Sequence, residues 1–215
     1  MALDYLTLRR SIQKRGEEGR STPVGYVPTD STGKAIDNSG VTIGVGFDLG
    51  AHNVGDLKKM GFSATIIKKL TPYLGLKGSD AQEVAKNLKV SGDDYIDIIT
   101  RPINYKIDRI ASKYNKKAGG NAFQRLDPAL QETIFSTMYQ MGIEGETGAP
   151  DFWKQATSGD WTGLYENLLD ERPLEQGGWG RYADRRKGQA QKIWQSGAIL
   201  RQSVMDEENR GKLFE

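Results

Sequence analysis

One stretch constrains this chain more than any other: Ser39-Gly40-Val41-Thr42-Ile43-Gly44-Val45-Gly46-Phe47-Asp48-Leu49-Gly50. It alternates as a β-strand does. Val41, Ile43, Val45 and Phe47 point to one side of an extended backbone, and Thr42, Gly44, Gly46 and Asp48 to the other. The first face is apolar enough to bury. The second has so little bulk that a bound molecule or a neighbouring backbone can approach it closely. It also carries a hydroxyl, Thr42, and a carboxylate, Asp48, along one predicted strand.

Upstream, residues 2–17 read as an amphipathic helix, with Leu3, Leu6, Leu8 and Ile12 broadly on one side and Arg9, Arg10, Lys14 and Arg15 elsewhere. Gly16 and Gly19 loosen it and leave Glu18 at or just past its C-terminus. The negative end of the helix dipole disfavours a carboxylate there, and partial burial would raise its pKa further, as a general acid requires. The plainer reading makes Glu17 and Glu18 solvated charges at a helix end. Two acids, one from a helix end and one from a glycine-rich strand, suggest glycosidase chemistry.

Residues 21–50 hold Pro23, Gly25, Pro28 and Gly33 among alternating apolar residues. They read as a strand around Gly25-Tyr26-Val27, a polar, mobile excursion from Thr29 to Asn38, and the return strand. From residue 54 the period turns helical. Ser63 caps a helix through Leu70, which Pro72 stops. Ser79 with Gln82 predicts a capping box for a helix to Leu88. Ser91 with Asp94 starts another, which Pro102 should break or kink before a second piece containing Ile103, Ile107, Ile110 and Tyr114.

Asp127-Pro128 opens a helix whose core stripe is Leu130, Ile134, Met138 and Met141. Asp151, or Ser158 to Asp160, opens the next helices. A last long helix runs from about Tyr182 to Gln195, ended by Gly197. Residues 198–215 are polar and read as a loosely held tail. The pattern predicts an α+β fold: one domain over 1–197, with a β lobe over about 20–52, a helical lobe over about 54–197 and a cleft between them.

Composition removes several classes of chemistry. With no cysteine there is no disulfide and no thiol nucleophile. The single histidine, His52, rules out a histidine-cluster metal site and reads as a solvated loop residue. No metal or other cofactor is expected. Thirty basic residues against 28 acidic ones are too balanced to predict nucleic-acid binding. No apolar run approaches membrane-spanning length and the N-terminus lacks a signal-peptide core, so cytoplasmic synthesis without stable membrane insertion is expected. A monomer is the default.

Thr42-Ile43-Gly44-Val45-Gly46, after the upstream Glu18-Gly19, resembles the active-site hairpin of phage lysozymes of the T-even type. Tyr139-Gln140-Met141-Gly142 and Trp179-Gly180-Arg181-Tyr182 with Arg185-Arg186 are similar to later elements of that family. The fuller string from Gly25-Tyr26-Val27-Pro28 through Phe47-Asp48-Leu49-Gly50 resembles the pesticin-like branch more closely, and the similarity covers roughly residues 3–197.

The resemblance implies a lysozyme-like fold and a muramidase that cleaves the β-1,4 bond between N-acetylmuramic acid and N-acetylglucosamine in bacterial peptidoglycan. Glu18 would be the general acid, Thr42 would hold the attacking water, and Asp48 would be the second carboxylate, with inversion at the anomeric carbon. Carboxyls in such a pair stand roughly 6.5–9.5 Å apart. In the T-even enzymes the aspartate precedes the threonine, which here would favour Asp37 or Asp30. The strand geometry favours Asp48. Gln140, Arg181 and Tyr26 are the candidate substrate contacts. Gln140 could instead bond Trp179 or Arg181, and the basic group Arg181, Arg185, Arg186 and Lys187 is read as a solvated helix face. A lytic transglycosylase and a non-catalytic wall-binding module are the alternatives. Such a protein would reach the cell wall by release or delivery, as a phage endolysin or a toxin.

Overall fold

The computed structural model describes residues 4–17, 21–141 and 148–211. The chain divides into two compact units, one formed by residues 9–106 and the other by 1–8 with 107–215. Helices 54–106 therefore share a unit with the sheet rather than with the later helices.

α1 (Tyr5–Glu17) begins in the second unit and continues in the first, whose sheet is built of β1 (Ser21–Tyr26), β2 (Thr42–Val45) and β3 (Phe47–Asp48) in the order β1-β2-β3, all antiparallel. The glycine-rich stretch is thus not one strand but a hairpin. Ile43 pairs with Phe47, closing a three-residue connection in which Gly44 and Gly46 have φ of 62° and 76°. That left-handed backbone strains any side-chain-bearing residue. Gly44 also abuts Ile99, whose Cγ2 lies 2.8 Å from where a β-carbon would sit. Its bareness serves packing rather than a ligand.

β1 is bulged between Thr22 and Tyr26, where Pro23 cannot donate to a ladder. The bulge pairs instead with residues 88–90: Gly25 N–H donates to Leu88 O at 2.8 Å, and Val90 N–H donates to Pro23 O at 2.9 Å. Val41, Ile43, Leu49, Leu57, Leu70, Leu88 and Ile98 form the core of this unit. The excursion from Thr29 to Asn38 is exposed but held. Asp30 accepts from the Thr32 and Lys34 amides, and Gln82 Nε2 donates to Gly33 O at 2.9 Å.

Helix starts follow side-chain caps unevenly. Ser63 accepts from Ile66 N–H at the start of α3 (Ala64–Leu70), as its position predicts. The Ser79/Gln82 box does not form, because α4 (Gly78–Val84) begins two residues earlier, with Lys77 at the N-cap, and Gln82 is committed to Gly33. A complete capping box instead opens α2 (Val54–Lys59), made by Asn53 and Asp56.

Pro102 does not end a helix. α5 runs unbroken from Gly92 to Ala118. Buried Ile98, Ile103, Ile107, Ile110 and Tyr114 run along it on both sides of the proline. Their burial, at about 1.5–3 kcal/mol for each large apolar side chain, outweighs the roughly 3 kcal/mol cost of an interior proline.

The second unit is helical: α6 (Ala122–Arg125), α7 (Pro128–Met141), α8 (Pro150–Ser158), α9 (Trp161–Leu168), α10 (Ala183–Gln195) and α11 (Ala198–Gly211). Asp127 accepts from Ala129 N–H ahead of α7, and Asp160 caps α9 through Gly163 N–H at 2.9 Å. The segment read as a loose polar tail is helical over α11. Gln202 there accepts from the Trp161 and Thr162 amides, which supplies acceptors to orphan donors at the start of α9. The fold is α+β and lysozyme-like: mostly helix, with one small antiparallel sheet.

Candidate active site

Strand pairing sets Tyr26, Thr42 and Asp48 in one row. Tyr26 faces Thr42 across β1 and β2, and Thr42 faces Asp48 across β2 and β3. Directly opposed residues share a face, so a phenol, a hydroxyl and a carboxylate stand side by side. The neighbouring row, Ile43 opposite Phe47, turns into the core. Thr42 and Asp48 do share a face as expected, but across a hairpin rather than along one strand.

Thr42 is only 3% exposed, and its hydroxyl donates to Gly40 O at 3.2 Å. Lone pairs on Oγ1 remain to accept a hydrogen. Asp48 is half-buried, and its Oδ1 accepts from Gly50 N–H at 2.8 Å, capping the 3₁₀ turn Leu49–Ala51. Gly40 makes this arrangement possible. A β-carbon there would lie 2.5 Å from Asp48 Oδ1 and 2.4 Å from Gly50 Cα.

Asp30 is fully exposed and occupied with its own turn. Hydrogen bonds from the Thr32 hydroxyl and the Lys34 amide hold its pKa below the usual carboxylate value. The Asp37 and Arg181 side chains and the whole of Glu18 lie outside the described residues.

His52, read as a solvated loop residue, is instead half-buried. Its ring sits 5.0 Å from that of Phe47, the neighbour of Asp48, and Nδ1 lies 3.9 Å from Asp56 Oδ2. Burial lowers its pKa. Asp56 opposes that shift, Lys106 adds to it, and Asp48 opposes it. Burial lowers the Lys106 ammonium as well.

The His52 shift predicts a pH dependence of stability. Above the ordinary histidine value of 6.5 both folded and unfolded chains are neutral at this site. As pH falls through 6.5 the unfolded chain takes up the proton first, so stability is lost until the folded pKa is passed. Between pH 7.5 and pH 5, the urea midpoint of the wild type should fall further than that of His52→Gln. Equal slopes would remove His52 from the account.

In the helical unit Gln140 and the basic group behave differently from expectation. Arg186 is wholly buried, so this part of the run is no solvated face. Its guanidinium stacks 4.4 Å from the centre of the Trp179 ring. It donates to Gln140 Oε1 at 2.7 Å, Gln189 Oε1 at 2.6 Å and Thr137 Oγ1 at 3.1 Å. Gln140 therefore bonds Arg186, while the Trp179 Nε1–H goes to Asn167. Arg185 is exposed, and Lys187 pairs with Glu171 at 2.6 Å. Sequence spacing held a signal for this. Arg186, Gln189, Ala190 and Ile193 follow the i, i+3, i+4, i+7 rule of a buried stripe.

Among the described residues no group of three or more metal-ligating carboxylates or histidines occurs. No helix among them is long and apolar enough to cross a membrane. A search of curated proteins finds no match. The family described as "Pesticin: Bacterial toxin homologue of phage lysozyme, C-term" matches residues 11–162, a span that contains Glu18, Tyr26, Thr42, Asp48 and Gln140 but not Arg181. The chain belongs to the pesticin family of phage-lysozyme homologues.

Proposed function

We propose that this protein is an N-acetylmuramidase, hydrolysing the β-1,4 bond between N-acetylmuramic acid and N-acetylglucosamine with inversion. Family membership supports a lysozyme-type peptidoglycan hydrolase. The observation that carries the finer reading is the row Tyr26–Thr42–Asp48. In this mechanism Glu18 protonates the glycosidic oxygen as the bond breaks. A water on the opposite face of the sugar gives one hydrogen bond to Thr42 Oγ1 and its proton to Asp48, and its oxygen attacks the anomeric carbon. Tyr26, paired with Thr42 across β1 and β2, is the proposed sugar contact of the sheet. Gln140 and Arg181 are the other proposed substrate contacts. The protein acts on the cell wall after release or delivery, as an endolysin or a toxin, and works as a monomer.

A second reading rests on the cap. Asp48 Oδ1 is already committed to Gly50. If capping were its whole role, one acid would suffice and the enzyme would be a lytic transglycosylase. Asp48→Asn separates the two, because the amide oxygen preserves the cap and the charge is lost. Hydrolysis predicts reducing muramic acid ends from the wild type and about 10²-fold slower release from Asp48→Asn, with the urea midpoint unchanged. Anhydro ends, with full activity in Asp48→Asn, would establish the transglycosylase instead.

A further inference from the structure

The β1 bulge forms one wall of a groove of about 710 Å³ that lies wholly within residues 9–106. Its floor includes Gly25, Val27 and Ala85, all buried. Gly25 is pressed so closely there that a β-carbon would lie 2.5 Å from Ala85 O. Backbone pairing of Gly25 with Leu88, and of Val24 with Lys89, fixes the walls. The groove is therefore preformed.

Its charge is one-sided in a chain whose totals nearly cancel. Lys86 and Lys89 line it, and no carboxylate does. Among the described residues neither lysine takes part in an ion pair. The remaining polar lining is the hydroxyls of Thr22, Thr29 and Tyr26 and the amide of Gln82. Tyr26 also heads the row that leads to Thr42 and Asp48. Tyr26 is thus common to the groove and to that row.

We infer that this groove receives the peptide stem of the substrate, with Lys86 and Lys89 meeting its carboxylates. Two ammonium groups suit carboxylates placed along a flexible peptide, since each is a point charge with no fixed fork. The Thr29 hydroxyl, and Gln82 Oε1, which the Nε2 bond to Gly33 O leaves over, suit peptide C=O and N–H groups. The site would make the enzyme prefer stem-bearing glycan to bare glycan. The choice of ligand rests on the muramidase reading.

The test is calorimetric titration, which is independent of turnover. Wild type and the double variant Lys86→Glu/Lys89→Glu are titrated with the muropeptide disaccharide carrying its stem and with the same disaccharide stripped of peptide. The double variant should bind the stem-bearing ligand about tenfold more weakly or worse. It should bind the stripped ligand as the wild type does, and esterifying the stem carboxylates should weaken binding to the wild type alike. Unchanged binding, an equal loss for both ligands, or indifference to esterification would overturn the inference. So would a glycerol-phosphate polymer that competes through these lysines while the stem does not. If charge reversal prevents folding, Lys86→Gln/Lys89→Gln gives the same comparison. A wild type that releases no ends from peptidoglycan would sink the muramidase reading, and the titration would still judge the groove.

Discussion

Glu18→Gln should slow the release of reducing ends from purified peptidoglycan by about 10³-fold, within the range that one positioned proton donor contributes. Glutamine has nearly the same shape and can still hydrogen-bond the glycosidic oxygen. It cannot hand that oxygen a proton, so the leaving sugar departs as an unstabilised alkoxide. Substrate binding should survive, measured as sedimentation of the protein with intact sacculi. The two readouts separate chemistry from recognition. Retention of even a tenth of the activity would move the acid away from Glu18, and loss of sedimentation would give Glu18 a binding role. Thr42→Ala should fall between Glu18→Gln and wild type, because removing one water-orienting oxygen leaves both carboxylates.

The sheet row of the candidate site is legible in the sequence because it depends on parity. Thr42 and Asp48 are an even number of residues apart, and they share a face whether the backbone runs straight or folds back at Ile43 and Phe47. The hairpin itself is legible only if Gly44 and Gly46 are read as turn residues, and their alternation with Val45 and Phe47 imitates a strand equally well. Local rules failed where distant partners competed for the same atoms. Gln82 suits a capping box but is taken by Gly33, far away in sequence. Pro102 suits a helix end but lies in an apolar stripe that continues past it. The groove with Lys86 and Lys89 has no sequence signature. Its walls come from strand bulging and from the approach of Gly25 to Ala85, neither of which is a matter of spacing.

Arg186→Ala should be the most destabilising single change in the helical unit, costing about 4 kcal/mol by analogy with large-to-small changes in cores. The side chain has no solvent exposure, so its loss leaves a cavity beneath the Trp179 ring. Gln140 Oε1 and Gln189 Oε1 lose a charged donor, and each acceptor left unsatisfied adds about 1–3 kcal/mol. The cost is large against the 5–15 kcal/mol by which domains are typically stable. Arg186→Met distinguishes volume from hydrogen bonding. It refills the space under Trp179 but cannot donate, and about half of the loss should return. Arg186→Lys keeps the charge yet cannot span Thr137, Gln140 and Gln189 from one ammonium, so it should rescue no better than methionine. Urea unfolding followed through tryptophan fluorescence reads all three. A loss below about 1 kcal/mol for Arg186→Ala would mean that α7 and α10 close over the gap and that the network adds little. Arg186 bonds Gln140 directly. The same series should therefore lower activity in step with stability if Gln140 contacts the glycan, and leave the activity of the folded fraction untouched if Gln140 only packs.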